Sequence, residues 1–320
     1  MSIAITDRMR EELNGSGFTV IENVLDAGAC SRVEAGMDEV ARRCREARGA
    51  SPDTSVSLRN AVARHEAILD LVDHPDILPL VVDVMGWNIQ NRDSVFDYKA
   101  PVSTPEEAHR LSLGWHFDYE EEFAGTTVEG TMPLLDFKVG WYISDHTEAG
   151  HSTILLVPGS FRWNREQRAT WQNRFDPGNI FELRVPPGSV LLWRPTLLHS
   201  VSPNLSSHFR KALYISYGPR WIRPSGHVEQ NPALIARSSP IRRQLLGAMG
   251  DLSDPLGADP VGAPASQHWF TEDWESVPLK AWAEARAGSG RRDWGLGFGA
   301  TCTKGPGFEF TQVDLPEGTG

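Results

Sequence analysis

Cysteine is scarce. Cys30, Cys44 and Cys302 are the 3 cysteines of a 320-residue chain, too few for a disulfide-stapled scaffold or a four-cysteine zinc site. Basic charge is in deficit. Lys and Arg number 31 against 42 Asp and Glu, a formal net charge of −11, which argues against nucleic acid or an anionic membrane surface as partner. No uncharged apolar run approaches the roughly 18 residues of a membrane-spanning helix. The opening MSIAITDRMREELNG lacks the apolar stretch of a secretory leader, so the expected setting is cytoplasmic. Internal repeats are absent. What remains, at 40% hydrophobic and 23% charged residues, is ordinary for a folded chain with one large core.

The first hundred residues read as helical, with one strand. Gly15 and Gly17 close a short opening helix, and the β-branched, alternating Phe18-Thr-Val-Ile-Glu-Asn-Val24 reads as a strand. Asp26 caps a helix in which Cys30, Val33, Met37, Val40, Ala41 and Cys44 recur at steps of three and four. That single apolar stripe assigns both cysteines to packing rather than to redox work. A linker at 51–55 precedes two further helices, separated by Pro75 and ended near Gly86.

From Asn88 to Pro219 the pattern changes to short apolar runs divided by Gly, Pro, Asn and Asp. Strands are expected at 138–143, 153–157, 180–185, 189–193 and 212–217, the pattern of an all-β sandwich or barrel rather than a βαβ sheet. Beyond Pro219 the chain is irregular, with helices expected at 240–249 and 279–287 and a mobile, glycine-rich tail from Gly288. The chain is therefore expected to be one domain over 1–320. Its parts are a helical region over 1–87, a β core over 88–219 and a helical, loop-rich extension over 220–320.

The chemistry concentrates in Gly114-Trp-His-Phe-Asp-Tyr119. On an extended segment His116 and Asp118 project to one face and can offer two ligands to a divalent metal. His199, in Thr196-Leu-Leu-His-Ser200, follows a predicted strand, and in a two-sheet fold distant strands face each other across a cavity. Two histidines and one carboxylate make the facial triad of non-haem iron(II) oxygenases. Arg210 follows, on a strand whose alternation puts Arg210, Ala212, Tyr214 and Ser216 on one face and Leu213 and Ile215 on the other. A guanidinium on a small, polar face suits bidentate capture of a carboxylate. Directly after Asp118 comes the acidic Tyr119-Glu-Glu-Glu-Phe-Ala-Gly125, either a solvated loop or a lid over the site.

In these residues the chain resembles the phytanoyl-CoA dioxygenases and their bacterial and fungal relatives. The resemblance runs through Gly17-Phe-Thr-Val-Ile-Glu-Asn-Val-Leu25, the His116/Asp118 pair, Leu156-Val-Pro-Gly-Ser160 and the block from His199 to Ala212. It implies a fold that is mainly β with added helices, built on a double-stranded β-helix (jelly-roll) core. It implies an enzyme that uses iron(II), 2-oxoglutarate and dioxygen to oxidise a C–H bond of a small molecule, most simply by hydroxylation. Residue by residue, it implies that His116, Asp118 and His199 bind iron and that Arg210 holds the distal carboxylate of 2-oxoglutarate. It further implies that Trp141 lines the cosubstrate pocket and that Arg59 is a basic residue near the cosubstrate. Halogenating relatives carry a small residue where Asp118 stands, so halogenation is not implied. The family's serine two positions after the distal histidine is Val201 here. On the residues alone, a cupin-like metal-dependent isomerase or hydrolase and a non-catalytic β-sandwich binding module stay open as alternatives.

Overall fold

The computed structural model describes residues 4–102, 104, 114–118, 133–173, 177–248 and 277–287. Helix α1 (Asp7–Gly15) starts at Thr6, whose side chain accepts from the Met9 N–H, the ordinary way of satisfying an orphan donor at a helix start. Strand β1 (Phe18–Ile21) leads to helix α2 (Ala27–Arg48), which Asp26 caps and Gly49 ends at a φ of 61°. The stripe read from the sequence is the buried face of α2, with Cys30, Val33, Met37, Val40 and Ala41 inside. Strand β2 (Val56–Arg59) and helices α3 (Glu66–Leu69) and α4 (Leu78–Met85) complete the N-terminal region.

The strands that follow are β3 (Ile89–Lys99), β4 (Phe137–Tyr142), β5 (Ile154–Leu156), β6 (Phe181–Glu182), β7 (Ser189–Trp193), β8 (His199–Val201) and β9 (Arg210–Pro219). They form a six-stranded sheet in the order β1-β7-β4-β9-β3-β2 and a three-stranded sheet in the order β6-β5-β8. Every ladder among them is antiparallel. Ile154 and Leu156 of the small sheet pack with Tyr142, Leu191 and Trp193 of the large one. The two sheets thus close on a shared interior, as a double-stranded β-helix does. Further helices lie at Arg165–Asn173, Pro232–Arg237, Pro240–Leu245 and Pro278–Ala287.

The large sheet has two unlike faces. Phe137, Val139, Trp141, Val190, Leu192, Leu213, Ile215 and Tyr217 join the helices in the main apolar core. Their strand neighbours Lys138, Gly140, Tyr142, Tyr214 and Ser216 point the other way, because successive side chains alternate. Strand β3 is the longest among the described residues and was not expected from the sequence. Its Gln90-Asn-Arg-Asp-Ser94 stretch has no apolar alternation, yet every one of these residues is buried. A boundary at residue 87 does not divide the core either, since β1 and β2 are strands of the large sheet. The tail from Gly288 and the connection 119–132 lie outside the described residues.

Gly188 turns the chain into β7 at a φ of 84°, and its carbonyl accepts from the Val24 and Leu25 N–H groups at 3.0 Å each. A Cβ there would lie 2.6 Å from the Leu25 carbonyl oxygen. Gly188→Ala is expected to destabilise the chain by about 2 kcal/mol or more, read as a lower midpoint in urea without a change of slope.

Candidate active site

His116 is held in an isolated antiparallel bridge with His199. Each backbone N–H donates to the other's carbonyl at 3.0 Å, and the Asp118 N–H donates to Pro195 O at 3.0 Å. The short segment 116–118 is therefore stitched to β8 and the turn before it. Its period-two geometry leaves His116 and Asp118 facing the same way. The backbone kink that starts it is Gly114, at a φ of 59°.

That kink has a chemical consequence. His116 Nδ1 lies 2.7 Å from Gly114 O, and His199 Nδ1 lies 2.8 Å from Leu197 O. A carbonyl only accepts, so Nδ1 carries a proton in both rings, which leaves Nε2 as the nitrogen that a neutral ring would offer to a metal. Both Nε2 atoms face Asp118, at 3.7 Å for His116 and 3.5 Å for His199. One donor atom from each of the three residues falls within 4.8 Å of the other two. Two imidazoles oriented by backbone carbonyls, with a carboxylate between them, fit a divalent transition metal.

Electrostatics around the triad are graded. Burial works against the charge of Asp118, but Lys138, His199 and His116 outweigh it and hold the carboxyl at about 2. Lys138, itself buried, donates directly to Asp118 Oδ2. Burial lowers His199 to about 4 despite the adjacent carboxylate, which keeps the imidazole neutral and able to ligate. One layer further, burial raises Asp136 to about 7, with Arg92 and Lys138 opposing. Arg92 Nε stands 3.5 Å from Asp136 Oδ2.

Arg210 is 1% exposed on the inward face of β9, with Ala212 and Tyr214. It donates through Nη1 to Asp97 and through Nη2 to the Tyr214 hydroxyl. Burial opposes its charge, while Tyr214 and Asp97 more than offset that, so its pKa is raised. Tyr214 lies edge-on to Trp193 at 5.5 Å and to Tyr142 at 6.4 Å. A Cβ at Gly140 would crowd both rings, at 3.0 Å from Trp193 and 3.2 Å from Tyr214.

Of the residues read from the sequence, the structure brings His116, Asp118 and His199 together and buries Arg210 in the same interior. Trp141 is elsewhere. It is fully buried on the opposite face of β4, in the helix-packed core and edge-on to His74 at 5.1 Å. Alternation forbids it from sharing the side of Lys138 and Tyr142, so the pocket-lining role implied for it is corrected to core packing. Arg59 lies at the sheet edge, where it is 65% exposed along its side chain and ion-paired to buried Asp93. It does not touch Arg210. Val201 faces inward, paired with Ile154 as His199 is with Leu156, so neither Ser200 nor Ser202 takes its place. Lys138, Asp97 and Tyr142 were missed, and Tyr214 was read only as sharing the face of Arg210. A lysine inside an apolar strand was the available signal for the first; nothing local marks the others.

Comparison with known proteins finds a family and several similar folds. The phytanoyl-CoA dioxygenase (PhyH) family matches residues 13–212. A curated relative, the probable alpha-ketoglutarate-dependent hypophosphite dioxygenase of Stutzerimonas stutzeri, is 25% identical over 240 residues, covering 66% of this chain and 77% of that protein. Among solved structures, HygX from Streptomyces hygroscopicus with nickel and 2-oxoglutarate bound is 17% identical at a TM-score of 0.52, covering 69% of this chain and 90% of that one. EctD from S. alaskensis with 2-oxoglutarate and 5-hydroxyectoine is 17% identical at a TM-score of 0.54, covering 74% and 85%. The carbocyclase SnoK from nogalamycin biosynthesis is 20% identical at a TM-score of 0.53, covering 73% and 91%.

Beside this group, His146 is 0% exposed and meets Tyr142 edge-on at 5.0 Å. Burial lowers it to about 3, with Arg210 as the next cause and with Asp145, His151 and His208 also facing it. Between about pH 6.5, its unfolded value, and pH 3 the unfolded chain therefore holds a proton that the folded chain does not. Stability is expected to fall on acidification through that window, by up to roughly 1.4 kcal/mol per pH unit from this one group. His146→Gln should flatten that part of a stability-against-pH curve.

Proposed function

The chain belongs to the phytanoyl-CoA dioxygenase family, and we propose that within it this iron(II)- and 2-oxoglutarate-dependent dioxygenase hydroxylates a C–H bond of a small-molecule metabolite, in secondary metabolism. The iron ligands in this reading are His116, Asp118 and His199, and Arg210 receives the distal carboxylate of 2-oxoglutarate. The observation that carries it is the convergence of two proton-defined imidazoles on Asp118 in the same interior as a buried arginine. Iron and 2-oxoglutarate, when bound, supply the oxidising power drawn from dioxygen.

The chain's own residues supply position and exclusion. Gly114 and Leu197 carbonyls fix the two histidine tautomers. Lys138 holds one oxygen of Asp118, which orients the carboxylate without neutralising it. Asp97 fixes Arg210 in place. Trp193, Tyr142, Ile154 and Leu156 wall the buried part of the interior, while His116 stands half-exposed at its mouth. A metabolite substrate is supported by the relatives, whose names concern hypophosphite, ectoine and the biosynthesis of nogalamycin. A metal-dependent isomerase or hydrolase and a non-catalytic module, both open on sequence alone, do not fit membership of an oxygenase family.

Asp118→Ala should abolish the visible charge-transfer band that forms when iron(II) and 2-oxoglutarate are added without oxygen. Arg210→Ala should keep the band but weaken 2-oxoglutarate binding, by a cost of roughly 2–5 kcal/mol. Wild-type binding in the arginine variant would remove Arg210 from the cosubstrate site. Succinate release across a panel of metabolites should identify the substrate. Its product should then carry one oxygen atom derived from labelled dioxygen, and a desaturated product instead would refute hydroxylation.

A further inference from the structure

Segment 114–118 carries two of the three clustered ligand side chains, yet it is not a strand of either sheet. Its backbone is joined to the core by the bridge between His116 and His199 and by the Asp118 N–H on Pro195 O. His116 is half-exposed at the mouth of the interior, so the place of its ring depends on the backbone that carries it. Alternation decides what can hold that backbone. His116 and Asp118 face the metal site, and Trp115 and Phe117 therefore face the opposite way.

What they meet is one side of the helix Arg165–Asn173. Trp115 lies edge-on to Trp171, with ring centroids 5.1 Å apart. The Arg168 guanidinium lies 4.2 Å from the centre of the Phe117 ring. Arg168 and Trp171 are three apart on the helix and so share a face. The helix is itself fixed at its start, where Asn164 and Gln167 exchange side-chain and backbone hydrogen bonds at 2.9 Å each, the reciprocal bonding of a capping box. Arg168 Nε donates to Trp163 O at 3.0 Å, which aims the guanidinium. Phe117 packs on Val157 and Leu198 as well. Edge-to-face rings and a cation over a ring are directional contacts, unlike the burial of an aliphatic side chain.

We infer that Trp171 and Arg168 are positioning residues for the metal site, gripping the outward side chains of the ligand segment so that His116 and Asp118 keep their places on its other side. This rests on the assignment of His116, Asp118 and His199 to iron made above. The lever is short. Trp115 and Phe117 flank His116 directly, and a shift of their backbone moves the His116 ring with it. Ligating groups must be held to within about 0.5 Å of a productive geometry. The bridge to His199 fixes the edge of the segment, and the helix fixes its outer face.

The test is titration of the full chain with iron(II), without oxygen and with 2-oxoglutarate in excess, following the visible charge-transfer band. Trp171→Ala and Arg168→Met should each bind iron(II) about ten-fold more weakly than the wild type. Trp171→Phe keeps an aromatic edge toward Trp115 and should bind it nearly as tightly as the wild type. Thr170→Ala, at an exposed position of the same helix, should not differ from the wild type. The urea midpoint of each metal-free variant is measured alongside, because iron affinity is read on folded protein and does not follow a lower midpoint. Wild-type iron affinity in either Trp171→Ala or Arg168→Met, whatever its midpoint, would overturn the role of that residue and mark its contact as packing alone. Weakening in Thr170→Ala, or no recovery in Trp171→Phe, would overturn the inference too. Should Trp171→Ala not fold, Arg168→Met decides by itself. Failure of the wild type to form the band overturns the iron site, an outcome distinct from these.

Discussion

Alternation along strands buried on both faces governs most of this molecule. In β4 and β9 every second residue must enter a helix-packed apolar core, and the residues between them must enter the space between the sheets. Phe137, Val139 and Trp141 take the first position, and Lys138, Gly140 and Tyr142 take the second. On β9 the division is Leu213, Ile215 and Tyr217 against Ala212, Tyr214 and Ser216. No residue of these strands can move from one environment to the other without a register slip that would reverse all of them. The polar interior is therefore built with the same certainty as the apolar core beneath it.

Charges placed in such an interior must be paired, because an isolated one is expensive to desolvate. The structure pairs them in layers: Asp118 with Lys138, Arg210 with Asp97, Asp136 with Arg92. These pairs are better understood as positioning than as stabilisation, since buried ion pairs contribute little net stability. Each holds its side chains in one place within the polar interior. The histidines are fixed by carbonyls at Nδ1 instead, which turns Nε2 of each toward Asp118.

Several of these features were legible in the sequence. The His116/Asp118 pair could be read because spacing of two on an extended segment needs no tertiary information. The inward set Arg210, Ala212, Tyr214 and Ser216 could be read for the same reason. The apolar stripe of α2 followed from its period. Strand β3 could not be read, because the polar residues that make it look unlike a strand are the ones that meet distant partners, buried Asp136 and exposed Arg59. Trp141 was misplaced by its resemblance to a pocket residue, although the alternation of β4 already put it on the side of Val139.

What the sequence alone determined is therefore local and periodic: which faces are apolar, which residues share a side, and which side chains have the chemistry to ligate a metal or grip a carboxylate. The tertiary structure decided the rest. It decided that His199 meets His116 across a two-residue bridge, that Lys138 rather than solvent answers Asp118, and that Asp97 and Tyr214 converge on Arg210. Those contacts join residues far apart in the chain, and their energies depend on burial, which no local pattern encodes.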